Sequence, residues 1–217
     1  MAKKALKKGL FITFEGPERS GKSTHSRRAF RFLKKEGYNV VYTREPGGTP
    51  LGDQIRKVLL HSKKAKIAPI VETLLFEASR SELIKEIIAP ALCKKKIVIS
   101  DRFSDATLVY QGYAGSVPLS EIKKIETVSM KGIKPDLTVL LDIDARAGLK
   151  KIRRGTKDRM ESKGLLFHRK VRNGYLILAR SDKKRIKVIK TRDTIQATFE
   201  SVKYEVMNAL RRHKKRG

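Results

Sequence analysis

The chain has 217 residues and a formal net charge of +29, which arises from 51 lysine and arginine residues against 22 aspartate and glutamate residues. This length suits one domain, and an apolar fraction of 40% supplies a buried core, which excludes a wholly disordered chain. The single cysteine excludes an intramolecular disulfide, and no apolar run approaches the ~20 residues of a membrane helix. Because the N-terminus also has no apolar secretion signal, we expect a cytoplasmic protein that does not span a membrane.

The positive charge is unevenly distributed along the chain. Six windows hold 27 basic residues and one acidic residue, whereas the remainder has 24 basic and 21 acidic residues. A high net charge suggests a nucleic-acid partner, but the aromatic residues do not alternate with the windows as they do in a stacking platform. We therefore do not expect specific nucleic-acid binding. The windows are 1–8, 63–66, 94–96, 150–159, 183–192 and 211–216, of which the first and last belong to basic tails at 1–8 and 211–217.

Apolar periodicity divides the chain into alternating strands and helices. Short apolar or β-branched runs predict strands, and apolar residues at helical spacing predict helices. In chain order the predicted elements are strand 10–15, helix 22–36, strand 38–43, helices 51–61 and 70–92, strand 96–100, helices 104–113 and 120–131, strand 136–142, helices 145–153 and about 164–179, strand 185–190 and helix 194–210. This order predicts an α/β fold, a five-stranded parallel sheet flanked by helices, in one domain over residues 1–217. Site residues are then expected at the carboxyl ends of the strands.

The predicted helix 70–92 carries several apolar residues at helical spacing. Leu74, Leu75, Ala78, Leu83 and Ile87 fit one stripe of this helix.

A phosphate-binding motif follows the first predicted strand and opens the first predicted helix. Residues 16–23 fit G-x-x-x-x-G-K-[ST] without a mismatch, which predicts a P-loop NTPase fold. Glycines let backbone N–H groups surround phosphate oxygens, Lys22 would reach the β- and γ-phosphates, and the Ser23 hydroxyl would ligate Mg²⁺. The expected nucleotide-binding residues are Gly16, Pro17, Glu18, Arg19, Ser20, Gly21, Lys22, Ser23 and Thr24.

The interior of this loop carries a carboxylate and a guanidinium, Glu18 and Arg19. Arg19 could stabilise charge on a transferring phosphoryl group, and the alternative is a surface ion pair of little energetic value. A P-loop alone does not distinguish a GTPase, an ATPase and a kinase.

Four separated stretches together resemble the thymidylate kinases (dTMP kinases), in the family's order and over residues 9–213. They are Phe14-Glu15-Gly16 with Gly21-Lys22-Ser23-Thr24, residues 43–49 (TREPGGT), residues 75–80 (LFEASR), and Asp101-Arg102-Phe103 followed by Tyr110-Gln111-Gly112. The resemblance implies transfer of the γ-phosphoryl of Mg·ATP to dTMP, giving dTDP and ADP in dTTP synthesis, by a homodimer. The alternatives are a nucleotide kinase or P-loop NTPase with another acceptor, and a basic nucleic-acid-binding protein whose P-loop serves regulation.

The resemblance also implies the residues that bind the acceptor. Phe76 would stack on thymine, and Arg80, one helical turn further on, would donate to its 4-oxo group. Thr107 and Gln111 match positions beside the base, and Tyr110 matches a ring that crowds the 2′ position of the sugar. Arg56 matches an arginine that faces the acceptor.

The reaction centre implied by the resemblance lies between the P-loop and the third strand. Asp101 would organise Mg²⁺, Arg102 would clamp the acceptor's 5′-phosphate, and Glu18 would contact the 3′-hydroxyl. Where many relatives have Asp-Arg-Tyr this chain has Phe103, so a hydroxyl is missing there.

The basic stretch at about 150–163 resembles the family's mobile lid and includes an Asp-Arg-x-Glu element at 158–161. Arg153 and Arg159 would deliver positive charge to the phosphates on closure. Since Arg19 is a further candidate, the residue that supplies the main catalytic cation stays open at this point. The alternative for the cluster is a solvated basic turn.

Overall fold

The computed structural model describes residues 4–61, 67–151 and 158–216. Its centre is a five-stranded sheet in the order β2-β3-β1-β4-β5, and every pairing is parallel. This confirms the predicted fold class. The strands are β1 (Leu10–Glu15), β2 (Val40–Arg44), β3 (Ile97–Asp101), β4 (Leu137–Asp142) and β5 (Ile186–Lys190).

The helices begin and end close to the predicted positions. The end predicted at residue 153 lies outside the described residues. The last helix continues past residue 210, where His213 is buried and its Nε2 lies 3.0 Å from the Lys8 carbonyl oxygen. The helices are α1 (Lys22–Lys35), α2 (Pro50–His61), α3 (Pro69–Leu83), α4 (Ala89–Cys93), α5 (Ser104–Thr107), α6 (Leu119–Met130), α7 (Ala145–Lys150), α8 (Leu165–Ser181) and α9 (Ile195–Arg216), with π-helical turns at Ile84–Ile88 and Leu108–Tyr113.

Both faces of the central strand are covered, which explains its mostly apolar sequence. Leu10, Ile12 and Phe14 pack in the cluster that includes residues of α1 and α9. Phe11 points to the other face and packs with Leu83 of α3. The alternation follows from the two-residue period of a strand.

The residues of the apolar stripe predicted for helix 70–92 differ in their exposure. Leu74 is 47% exposed and Ala78 is also exposed, whereas Leu83 is fully buried. The buried face of α3 instead carries the polar residues Glu77 and Arg80. A buried ion pair can take the place of apolar contacts when its partners are hydrogen-bonded, and periodicity of apolar residues cannot detect that substitution.

The sheet brings the segments that follow β1, β2 and β3 to one edge. Phe14 pairs with Asp101, and Asp101 pairs with Arg44, so these three strands end side by side. The P-loop, the loop after β2 and the Asp101-Arg102 pair therefore meet there.

No helix in the described part of the chain has the length and apolar character of a membrane span.

Candidate active site

The P-loop turns sharply between β1 and α1, and this turn requires glycine at two positions. Gly16 has a φ of 143°, and a Cβ there would lie 2.2 Å from the Leu141 carbonyl oxygen. Gly21 has a φ of 92° and begins α1 in a left-handed conformation. Pro17 and Ser20 are buried within the turn, and Thr24 is exposed in the first turn of α1. The geometry is that of a loop wrapped around an anion site at a helix N-terminus.

Lys22 is buried under this loop and holds its carbonyl groups. Its Nζ donates to the Gly16 oxygen over 2.9 Å and to the Pro17 oxygen over 2.7 Å. Burial and the nearby Arg102 charge lower the pKa of Lys22 to about 8, against the opposing effect of neighbouring carboxylates. The lysine is therefore a cation at neutral pH, but one whose charge is poorly solvated.

Ser23 and Asp101 meet beside the loop, where Ser23 Oγ donates to Asp101 Oδ2 over 2.5 Å. Asp101 Oδ1 is buried and has no hydrogen-bond partner among the described residues. A hydroxyl and a carboxylate are hard oxygen ligands, and Mg²⁺ usually takes one or two of these from protein and the rest from water and phosphate. The donor set and the unpartnered oxygen fit the magnesium ion that the resemblance implies.

Arg102 and Glu18 face each other across the reaction centre. Arg102 Nη2 donates to Glu18 Oε1 over 2.9 Å, and the Tyr110 hydroxyl donates to the same oxygen over 2.7 Å. Burial would raise the pKa of Glu18, but the Arg102 and Lys22 charges and these hydrogen bonds lower it to about 2. Glu18 is thus an anion, and it holds Arg102 and Tyr110 in fixed positions.

A pocket opens next to this pair, between α2, α3 and the helical turns after β3. Its lining includes the predicted acceptor residues Arg56, Phe76, Arg80, Arg102, Thr107, Tyr110 and Gln111. Phe76 is half-buried on its wall. Arg56 is also half-buried, and its Nη1 donates to the Pro46 oxygen over 2.9 Å. The structure therefore brings all seven residues together.

Arg80 is fully buried, and two of its three hydrogen-bond partners, Glu45 and Glu77, were not predicted as site residues. Its Nε donates to Glu45 Oε2 over 2.9 Å, its Nη1 donates to Glu77, and its Nη2 donates to Thr107 Oγ1 over 2.9 Å. Burial raises the pKa of Glu45 to about 7 in spite of the Arg80 charge. Both carboxylates lie in stretches that carry the family resemblance, Glu45 in TREPGGT and Glu77 in LFEASR. The sequence did not indicate that either of them would pair with Arg80.

Phe103 serves packing at the place where a tyrosine occurs in many relatives. It is fully buried, and its ring lies 4.8 Å from that of Phe11 in an edge-to-face arrangement. The Arg80 guanidinium carbon lies 5.3 Å from the Phe103 ring centroid. Phe103 therefore packs against the Arg80 guanidinium in a cation–π contact.

Residues 158–163, within the stretch predicted as the lid, contact both the acceptor side and the P-loop. Arg159 Nε donates to the Leu59 oxygen over 2.8 Å and its Nη2 donates to Glu72, so its guanidinium is directed away from the P-loop. Glu161 Oε1 accepts from Arg19 Nε over 3.2 Å and forms an ion pair with Arg19 Nη2 at 3.1 Å. Arg153 lies outside the described residues.

The comparisons with known proteins agree with this geometry. A family model for thymidylate kinase matches residues 14–202. The chain is 40% identical over 211 residues to the thymidylate kinase of Geobacter sulfurreducens, covering 94% of this chain and 99% of that protein. It is 49% identical over 168 residues to that of Dehalococcoides mccartyi, covering 76% and 80%. The crystal structure of thymidylate kinase from Ehrlichia chaffeensis is similar with a TM-score of 0.76 at 33% identity, covering 92% and 99%. The chain belongs to the thymidylate kinase family of phosphotransferases.

Proposed function

We propose that the protein transfers the γ-phosphoryl of Mg·ATP to dTMP, giving dTDP and ADP in dTTP synthesis in the cytoplasm. One observation carries this proposal. The cavity over the P-loop and the pocket of Phe76 and Arg80 adjoin, and both are lined by Glu18, Arg56, Arg102 and Asp158. Two nucleotides bound in these cavities would meet with their phosphates at the shared residues, as a direct transfer requires.

The donor side binds and orients the triphosphate. The backbone N–H groups of residues 18–21 would contact phosphate oxygens, and Lys22 would exchange its two carbonyl partners for β- and γ-oxygens. Ser23 and Asp101 would hold Mg²⁺, which supplies charge neutralisation at the phosphates.

The acceptor side fixes the nucleoside and its 5′-phosphate. Phe76 would stack on the base, and Arg80, aligned by its carboxylate partners, would donate to the 4-oxo group. Thr107 and Gln111 lie beside the base, and Tyr110 blocks the space a 2′-hydroxyl needs. Arg102 and Arg56 would bind the acceptor phosphate, and Glu18 would accept from the 3′-hydroxyl.

Arg19 is the better placed of the described candidates for the cation that stabilises the transferring group. It lines the P-loop cavity, whereas Arg159 does not. In the described structure Arg19 forms one ion pair, with Glu161. Because the Arg19 side chain is 42% exposed, breaking this pair to turn Arg19 toward the phosphates would cost little free energy.

A coupled assay that measures ADP formation with dTMP, dUMP, dCMP, dGMP and dAMP tests the proposal. We expect dTMP to be preferred strongly over the purine nucleotides and dCMP. Equal or greater turnover with another acceptor would contradict the assignment. ATP hydrolysis without any acceptor dependence would favour a P-loop ATPase instead.

The lowered pKa of Lys22 predicts proton uptake on ATP binding at alkaline pH. Above about pH 8 the lysine of the free protein loses its proton, and a bound triphosphate restores the charge by raising its pKa. We expect ATP affinity to fall as the pH rises through about 8, with uptake of up to one proton per site. Calorimetry at pH 8.5 in two buffers of different ionisation enthalpy measures this uptake. It should be absent in Lys22→Met, and equal uptake there would contradict the assignment to Lys22.

We further propose that the protein is a homodimer through α2, α3 and α6. These helices expose large apolar side chains that a second copy would cover: Leu51, Val58, Ile70, Val71, Leu74 and Val128. We expect the protein to elute as a dimer in size exclusion with light scattering, and Leu74→Arg to elute as a monomer. Leu166→Arg, at an exposed apolar residue of α8, is the matched control. A monomeric wild-type protein would refute the dimer.

A further inference from the structure

One buried carboxylate connects the acceptor pocket to Arg159, which belongs to the stretch predicted as the lid. Glu72 is 5% exposed, its Oε1 accepts from Gln111 Nε2 over 2.7 Å, and its Oε2 accepts from Arg159 Nη2. Glu72 and Arg159 line a second cavity and not the acceptor pocket, whereas Gln111 lines both. Glu72 therefore supports the pocket wall from behind.

The chemistry of this chain of contacts fixes which end of the Gln111 amide faces the nucleotide. An ionised carboxylate only accepts hydrogen bonds, and a guanidinium only donates them. Glu72 must then hold the amide nitrogen of Gln111, which leaves the carbonyl oxygen for the acceptor pocket. No residue within 4–61, 67–151 or 158–216 donates a hydrogen bond to that oxygen.

We propose that Glu72 is a positioning residue that sets base selectivity by orienting Gln111, with Arg159 fixing the polarity of the contact. This inference rests on the proposed dTMP kinase activity. Thymine carries a hydrogen at N3, whereas cytosine carries a lone pair there. A carbonyl oxygen held in the pocket accepts from the first and repels the second. Glu72 thus selects among pyrimidines without touching them.

The substitution Glu72→Gln tests the orientation. The new carbonyl must face Arg159, since a guanidinium cannot accept, and the new amide nitrogen then faces Gln111. Gln111 would turn over to offer its own carbonyl, and its NH₂ group would face the pocket. We expect the ratio of kcat/KM for dTMP to kcat/KM for dCMP to fall by about tenfold or more, because a buried hydrogen bond is replaced by two opposed donors. A loss of turnover common to both substrates cancels in this ratio.

The double variant E72Q/Q111E is the matched rescue. It keeps the total charge, places an amide nitrogen opposite the new carboxylate, and leaves an accepting oxygen for the pocket. We expect it to regain most of the preference for dTMP, which a merely structural role of Glu72 would not produce. Glu121→Gln, an exposed carboxylate in the first turn of α6, should leave the ratio unchanged.

The outcomes separate this inference from the function on which it rests. A wild-type protein that does not phosphorylate dTMP overturns the proposed function. An active wild type with an unchanged ratio in folded Glu72→Gln overturns only the role of Glu72. If Glu72→Gln does not fold, E72Q/Q111E decides: a preference for dTMP supports the orientation, and its loss refutes it.

Discussion

Replacement of Arg102 by alanine is expected to lower kcat/KM for dTMP by about 10³-fold or more, the scale on which enzymes lose rate without a cation at a transferring phosphoryl group. Arg102 lines both cavities and is held in place by Glu18. Its removal would leave two phosphate groups in contact with less positive charge between them. Positioning and charge neutralisation are most of what a phosphoryl transfer requires from protein.

The fold should survive this change. Arg102 is 24% exposed, and Glu18 would keep the hydrogen bond from Tyr110 and the nearby charge of Lys22. Steady-state kinetics with dTMP, together with thermal unfolding of the same preparation, separate catalysis from stability. Arg180→Ala, at an exposed arginine of α8, controls for loss of positive charge. Near-normal kcat/KM in folded Arg102→Ala would remove Arg102 from the proposed mechanism.

The second large effect is expected at Arg80, where a single substitution should damage both stability and recognition. Arg80→Met leaves the buried carboxylates of Glu45 and Glu77 without their cation. Breaking a buried ion pair on one side typically costs about 3–5 kcal/mol in the free energy of unfolding. The affinity for dTMP should fall as well, because the donor to the 4-oxo group is gone. Urea unfolding and dTMP titration measure the two losses.

The destabilisation should depend on pH in a defined direction. Burial raises the pKa of Glu45 from its ordinary value of 4.5 to about 7, so the folded state binds more protons than the unfolded state in that range. Stability linked to Glu45 is therefore lost as the pH rises from about 4.5 to about 7. Without Arg80 the pKa of Glu45 rises further, so Arg80→Met should be more destabilised at pH 8 than at pH 5.5.

A second substitution separates the two roles of Arg80. Adding Glu45→Gln to Arg80→Met removes one unpaired buried charge and should recover part of the stability, but not the affinity for dTMP. Arg180→Met is the matched control for loss of an arginine. If dTMP affinity returned together with stability, Arg80 would be a structural residue and not a base-recognition residue.

The local sequence determined the sheet and the phosphate loop. Short apolar and β-branched runs such as Leu10–Glu15 predict buried strands, and the structure has these strands within two residues of their predicted starts. The P-loop could be identified because its function requires glycines and a lysine at fixed spacing next to a strand and a helix. The strand runs and the P-loop motif each lie within a few consecutive residues, so that a local pattern is enough to identify them.

Only the tertiary structure decided how the charged side chains are paired. Arg80 is 35 residues from Glu45, Arg159 is 87 from Glu72, and Arg19 is 142 from Glu161. The same holds for α3, where Glu77 and Arg80 are buried while Leu74 and Ala78 are exposed. Such pairs depend on which loops meet at the carboxyl edge of the sheet. The order of the strands decides which loops are neighbours, and the periodicity of residues along a single strand or helix contains no information about that order.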